Sequence, residues 1–442
     1  MGVFLGASQE VVLLLDRCST LHTGKKKRGK DNNNLFILRV TENIIGKEVF
    51  TMEIRYNEKL KKLPPYLFIE IDRKKKEAIN KGADIISLGV GDPDMPTPEH
   101  IVKSMKEAVA KPTNHQYPFG VGLPSYRNAV AEWYEKRFNV NLSPDEVCAL
   151  VGSKEGIGHI HLGFINPGDV VLIPEPGYPV YNTGTIFSDG APYFMPLLEK
   201  NNFLPDLDLI PEDVVKKAKL IFVNYPNNPT AAVAPREFYI KLIEFAKKNS
   251  IIVAADAAYS EIYYDENEKP LSLLEFPGAK EICVEFHSLS KTYNMTGWRI
   301  GWVCGNKDIV AGIAKVKDNY DSGVFQAVQE AAVTALVSSQ KCVEDARKIY
   351  KERRDALVEG LQKLGWEVNL PKASFYVWAK VPKGYSSSQV VSRLLEEASI
   401  VCTPGNGMGK SGEGYVRFAL TVGVSRIKEA IERISKMRWK DI

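Results

Sequence analysis

The sequence predicts an α/β fold: a mostly parallel central sheet sandwiched by helices, plus a smaller α+β domain. Three observations carry the prediction. Apolar runs of strand length alternate with helical stretches from residue 85 to about residue 305. Those runs are near-continuous rather than alternating, as in strands covered by helices on both faces. Beyond Lys307 the alternation gives way to a long helical region and two separated strands.

Taken in order, residues 66–81 read as a charged helix. Residues 85–88 form a short strand that enters the loop Gly89-Val90-Gly91-Asp92-Pro93. Strands follow at 147–151, 170–174, 220–224, 251–255 and 282–286, with a helix starting near Ser153. A helical region covers 308–365, broken near 318–323, and strands lie at 375–378 and 415–419 with a helix between them. The expected organisation is an extension over 1–51, an arm over 52–90 joining the small domain, a large domain over 91–315 and a small domain over 316–442.

A length of 442 residues suits two or three domains. A net charge of +4 is too small for a dedicated nucleic-acid binder. No apolar run approaches the roughly 20 residues that span a bilayer. The six cysteines are scattered, with no Cys-x-x-Cys pair, so reduced thiols in a cytoplasmic protein are expected, and no metal site. In the extension, the apolar stretch 11–15 is too short for a secretory signal, and Asp16 and Arg17 follow it directly. The myristoylation pattern fails after Gly2. The extension is expected to be poorly ordered, with the compact part of the chain starting at Met52.

The suggestive residues sit where the strands end, which is where open α/β sheets bind ligands. Ser288-Leu289-Ser290-Lys291 follows one strand, with Arg299 eight residues beyond the lysine. A lysine in such a cleft can lose its proton through burial and attack an aldehyde. Ser288, Ser290 and Arg299 can grip a dianionic phosphate. Asp256 ends a buried strand, where a carboxylate is costly unless paired. A protonated pyridine nitrogen would pair it and could then absorb electrons from a substrate carbanion. The plainer reading of Asp256 is a helix N-cap. Tyr259 and Asn228 can donate to a phenolate oxygen on the same ring. Gly152-Ser153-Lys154 opens a helix whose free amides favour an anion, so Ser153 and Lys154 are phosphate candidates, or Ser153 is a simple cap. Tyr178 can stack on the ring face or serve as an ordinary core aromatic.

These residues, with Asn227-Asn228-Pro229-Thr230 and Val416-Arg417-Phe418 in the same order, resemble the fold-type I pyridoxal 5'-phosphate (PLP) enzymes, the class I/II aminotransferases. The likeness runs from Tyr66 to the C-terminus. It implies PLP carried on Lys291, amino-acid and 2-oxo-acid substrates, and a homodimer with shared active sites. It implies that Arg417 clamps the substrate α-carboxylate, that the Gly91 backbone approaches the substrate, and that Tyr117 reaches the phosphate of the neighbouring subunit. Segments such as 63–68, 152–156, 285–299 and 321–326 are similar to one branch of the family whose substrate carries a second amino-acid head. That likeness adds Tyr66, Lys154, Tyr178, Asn228 and Asn319 to the substrate contacts, Asn319 coming from the partner subunit. Two departures stand out. Ala231 replaces the usual glycine after Asn-Pro-Thr, which should cost turn flexibility and not chemistry. Residues 118–123 contain no acid, where the better-known branch places a glutamate for the distal amino group. Other reactions compatible with the residues are aspartate, alanine or aromatic transamination and a β-lyase reaction. A ligand sensor fused to a DNA-binding domain would need a helix-turn-helix before Met52, which the sequence does not offer.

Overall fold

The computed structural model describes residues 55–64, 67–118 and 120–439. The architecture below belongs to the compact unit 62–442. The expectations for residues 1–51 and for Tyr66 fall outside the described residues.

After α1 (Leu67–Asn80), β1 (Ile86–Ser87), α2 (Glu99–Val109) and α3 (Pro124–Phe138), the chain builds a seven-stranded sheet. Its strands are β2 (Val147–Leu150), β3 (Val170–Glu175), β4 (Ala191–Pro196), β5 (Ala218–Asn224), β6 (Ile252–Asp256), β7 (Cys283–Ser288) and β8 (Gly301–Gly305). They lie in the order β2-β8-β7-β6-β5-β3-β4. β8 runs against both of its neighbours, and the other pairs are parallel. Helices α4 (Ser153–Phe164), α5 (Val180–Phe187), α6 (Arg236–Asn249), α7 (Lys307–Tyr320) and α8 (Gln326–Val337) complete this part.

The near-continuous apolar strands have a simple cause. Successive side chains point to opposite faces, and both faces are covered. In β5, Ile221 and Val223 pack with α3, α6 and α8, whereas Leu220 and Phe222 pack with α4, α5 and α7. The rest of the chain, α9 (Lys341–Lys363), β9 (Tyr376–Lys380), α10 (Ser387–Ala398), β10 (Ile400–Val401), β11 (Thr403–Pro404), β12 (Tyr415–Ala419) and α11 (Val424–Ser435), surrounds a third core. β11, β12 and β9 form an antiparallel sheet there, and β1 returns to pair with β10. Ile86 and Leu88 are buried in this third core, so the loop 89–94 leaves it directly beside β12. Among the described residues, no helix is long and apolar enough to cross a membrane.

The structure adds elements that the pattern did not announce. β4 carries Pro192 and Pro196 and is mostly exposed, as suits the edge of a sheet. β8 is a five-residue strand bounded by Gly301 and Gly305. A Cβ on Gly301 would stand 2.4 Å from the His287 carbonyl oxygen. The helical region after Lys307 is three helices, with a second interruption at 338–340. α8 lies beyond the boundary expected at 315/316, yet Ala331, Ala332 and Ala335 pack in the core of the large sheet.

The Asn227-to-Ala232 turn explains the departure at Ala231. Asn227 Oδ1 accepts from the Thr230 amide at 2.9 Å and from its hydroxyl at 2.8 Å, and the Ala231 amide closes back on the Asn227 carbonyl at 2.9 Å. This geometry holds Ala231 at φ +60°, the left-handed region that favours glycine. Ala231→Gly should therefore stabilise the protein by about 0.5–1 kcal/mol, after the extra chain entropy of glycine is set against the relieved strain. A lower thermal midpoint for that variant would contradict this account of the turn.

Candidate active site

Three parallel strands end side by side, and each delivers one group. Asn224 at the end of β5 pairs in register with Asp256 at the end of β6, and Ser288 ends β7. The following loops add Asn228, Tyr259 and the helical turn Leu289–Thr292 that carries Lys291. The loop after β1 and strand β12 close the other side with Gly91, Asp92 and Arg417. Together they line a cavity of about 360 Å³. Of the sequence-predicted residues, Gly91, Ser153, Lys154, Tyr178, Asn228, Asp256, Tyr259, Ser288, Ser290, Lys291, Arg299 and Arg417 all line it.

Tyr117 and Asn319 do not line it. Tyr117 is 89% exposed, and Asn319 is exposed with its side-chain amide on the Lys315 carbonyl at 2.8 Å. Sequence reasoning missed Tyr376, Thr296 and Asp92 on the wall, and Tyr181 behind it.

Asp256 is almost fully buried. Its Oδ2 accepts from the Tyr181 hydroxyl at 2.8 Å, while Oδ1 has no hydrogen-bond partner among the described residues. Burial pushes its pKa up to about 6, although the Tyr181 hydrogen bond, the Ala258 amide and nearby His287 pull the other way. No helix starts after Asp256, so the N-cap reading does not apply. A cationic N–H at Oδ1 would satisfy the orphaned atom and restore the charged form.

Lys291 is half-buried, and its Nζ donates to the Gly91 carbonyl at 2.8 Å. Burial lowers its pKa to about 8; Asp92 opposes the fall, and Arg299 and Arg417 add to it. Gly91 has no room for a side chain, since a Cβ would stand 1.9 Å from the Tyr376 hydroxyl. That hydroxyl in turn lies 3.1 Å from the Tyr259 hydroxyl.

At the other end of the cavity is a cluster of groups suited to an anion. Gly152, at φ +73°, caps α4, so Ser153 is the first helical residue rather than the cap. A Cβ on Gly152 would meet Arg299 Nη2 at 2.4 Å, so the glycine gives the guanidinium its place. Arg299 is fixed by the Thr296 carbonyl at 2.9 Å and the Val151 carbonyl at 3.3 Å. Ser288 Oγ accepts from the Ser290 amide at 3.2 Å, and the buried Ser290 Oγ has no partner among the described residues. A helix N-terminus, an arginine and an unmet hydroxyl suit a phosphate.

Arg417 is fully buried. It donates to Asn228 Oδ1 at 2.8 Å, to the Gly89 carbonyl at 2.6 Å and to Thr403 Oγ1 at 3.2 Å, with its guanidinium 4.3 Å from the Tyr376 ring centre. These bonds aim a planar cation into the cavity, the usual receptor for a carboxylate.

Outside the cavity, Glu155, His159 and Asp321 bring three potential metal ligands within reach of one another. The buried Lys317 Nζ already bridges the two carboxylates, 2.9 Å from Glu155 Oε1 and 2.8 Å from Asp321 Oδ1.

Residues 83–434 match the family described as aminotransferase class I and II. The chain belongs to this family. Its members generally work with pyridoxal 5'-phosphate, and this chain is a transaminase. It is 57% identical to the LL-diaminopimelate aminotransferase of Aquifex aeolicus over 384 residues, which is 87% of this chain and 99% of that protein. It is 56% identical to the LL-diaminopimelate aminotransferase of Maridesulfovibrio salexigens, over 87% of this chain and all of that one. The substrate-bound BacF structure from Bacillus subtilis matches with a TM-score of 0.84 at 39% identity, covering 87% of this chain and 98% of that chain. The fold is therefore that of the fold-type I aminotransferases.

The lowered lysine pKa has a direct consequence. An amine reacts with aldehydes only when neutral, and that fraction rises with pH through the pKa. In cofactor-free protein, reductive methylation of Lys291 should be half-maximal near pH 8. An ordinary lysine would be only about 0.4% neutral at that pH. A midpoint above pH 10 for Lys291, read by peptide mass spectrometry, would show that burial does not tune it.

Proposed function

We propose that this enzyme is an LL-diaminopimelate:2-oxoglutarate aminotransferase of lysine biosynthesis, with PLP held on Lys291. The observation that carries the PLP reading is the convergence in one cavity of an aldehyde-reactive lysine, a buried carboxylate with one open oxygen and a phosphate receptor. Likeness to LL-diaminopimelate aminotransferases over nearly their whole length supports the substrate.

In this reading Ser153, Lys154, Ser288, Ser290 and Arg299 hold the phosphate. Asp256 pairs with the ring nitrogen, Tyr259 and Asn228 meet the ring oxygen, and Tyr178 covers the ring face. When bound, the cofactor supplies an electron sink for the carbanion left at the substrate Cα. Arg417 and Asn228 bind the α-carboxylate and fix the Cα–H bond in reach of Lys291. Lys291 Nζ, set free as an amine when the substrate amine takes its place, would then remove that proton and later return one, as general base and acid. The amino group passes to 2-oxoglutarate, giving glutamate. The oxo product of LL-diaminopimelate loses water by closing on its own distal amine, giving tetrahydrodipicolinate, and biosynthesis runs this sequence in reverse.

Dimerisation is part of the proposal. Tyr117, Phe187 and Tyr320 expose large aromatic surface. Tyr117 and Asn319 lie off the cavity, as groups serving a partner's site would. For the distal head, residues 118–123 lack an acid, but Asp318 Oδ1 lies 1.6 Å from the place a Cβ on Gly120 would take. A carboxylate therefore stands against this loop, supplied by α7; like Tyr117 and Asn319 it lies off the cavity of its own chain, and it is proposed to meet the distal ammonium at the partner's site.

Mixed with LL-diaminopimelate alone, the PLP-loaded enzyme should lose its cofactor absorption rapidly and regain it with 2-oxoglutarate. Conversion by aspartate or alanine instead would keep the transaminase and discard the lysine-pathway assignment. Lys291→Ala should abolish turnover, and near-wild-type rates in that variant would sink the mechanism. Asp318→Asn should raise KM for LL-diaminopimelate by about 10-fold with little change in kcat. An unchanged KM would remove Asp318 from the substrate site.

A further inference from the structure

Behind the cavity wall stands a tyrosine that touches neither solvent nor the cavity. Tyr181 lies in the first turn of α5, three residues after Tyr178. Tyr178 lies in the loop just before the helix and lines the cavity, whereas Tyr181, inside the helix, packs on the strand beneath it. The Tyr181 ring is fully buried and stacks on Phe222 of β5 at 4.7 Å and 19°, and it meets Tyr178 edge-on at 6.0 Å. Phe222 also stacks on His161 at 5.1 Å and 23°. The Tyr181 carbonyl accepts from the Thr185 hydroxyl at 2.8 Å. The ring is thus held on several sides, and its hydroxyl ends on Asp256 Oδ2.

Two other titratable side chains face this carboxylate, and neither donates to it. His287 on β7 is stacked on Trp302 at 5.0 Å, with Nδ1 3.5 Å from Ser260 Oγ and Nε2 3.6 Å from Glu285. The Tyr259 hydroxyl is directed to Tyr376. Tyr181 remains a donor across the working range, because burial holds its pKa well above 10.

We propose that Tyr181 is a positioning residue for the reaction: its hydroxyl keeps the buried Asp256 ionised and turned so that Oδ1 is the oxygen offered to the cofactor's ring nitrogen. This rests on the PLP reading above. The Tyr181 bond uses one oxygen, leaving the carboxylate a single open acceptor. A hydrogen bond to a charged acceptor also favours its charged form, against the burial that disfavours it.

The test separates this role from mere packing. Full-length enzyme freed of its cofactor is titrated with PLP and with its 1-deaza analogue, which has carbon in place of the ring nitrogen. Tyr181→Phe keeps the stacked ring and should weaken PLP roughly tenfold or more while changing the analogue less than about twofold. In an Asp256→Asn background the same change should have no further effect on PLP. Replacement of Tyr181 by 3-fluorotyrosine, a stronger donor of nearly the same shape, should raise the preference for PLP over the analogue. Equal weakening of both ligands by Tyr181→Phe, or an unaltered preference in the fluorotyrosine protein, overturns the proposal and leaves the PLP assignment standing. Failure of the unmodified enzyme to bind PLP would overturn both.

Discussion

A carboxylate buried at the end of a parallel strand is the constraint on which the site depends. In an apolar interior Asp256 is driven towards its neutral form, and one hydrogen bond from Tyr181 offsets only part of that. The site is thus built short of one cation, at a fixed place. The sheet makes this possible. Its buried faces keep water from Oδ1, and the register of β5, β6 and β7 puts Asn224, Asp256 and Phe286 in a row. The polar groups beyond those ends inherit their positions from that row.

The opposite wall comes from a different core. Arg417 sits on β12, and the loop before it in space, 89–92, is anchored through Gly89 and Leu88 to the same strand. Lys291 bonds to the Gly91 carbonyl, so the lysine of the large sheet is tied to the wall that holds Arg417. Arg299 and Arg417 also press on the lysine charge, and with burial they outweigh the opposing pull of Asp92. The placement of the two arginines and the lowered pKa of the lysine are therefore not independent. The two arginines that suit phosphate and carboxylate also help free the lysine of its proton.

Much of this was legible in the sequence, because strand ends mark themselves: an apolar run stops at Asn, Asp or Ser, and a polar loop follows. That signal located Asn228, Asp256 and Lys291 and the parallel sheet. It failed where the physics is not local. β4 at the exposed edge, with two prolines, and β8, bounded by glycines, look like loop. Tyr181 reads as one more core aromatic on a helix, and only the fold shows that its hydroxyl ends on Asp256. Asp318 is distant in sequence from Gly120 and comes against it through α7. The departure at Ala231 was visible, but its cost in backbone conformation needed the φ angle. Tyr117 and Asn319 are solvent-facing in the single chain, so their expected roles depend on a second subunit.

The most direct test of the account is the protonation state of the cofactor's ring nitrogen in the assembled enzyme. With ¹⁵N-labelled PLP bound at neutral pH, the ring nitrogen should show the chemical shift of a pyridinium paired with a carboxylate, and Asp256→Ala should abolish it. A neutral pyridine shift in the unaltered enzyme would mean that Asp256 does not hold the cation the site lacks, and the central claim would fall.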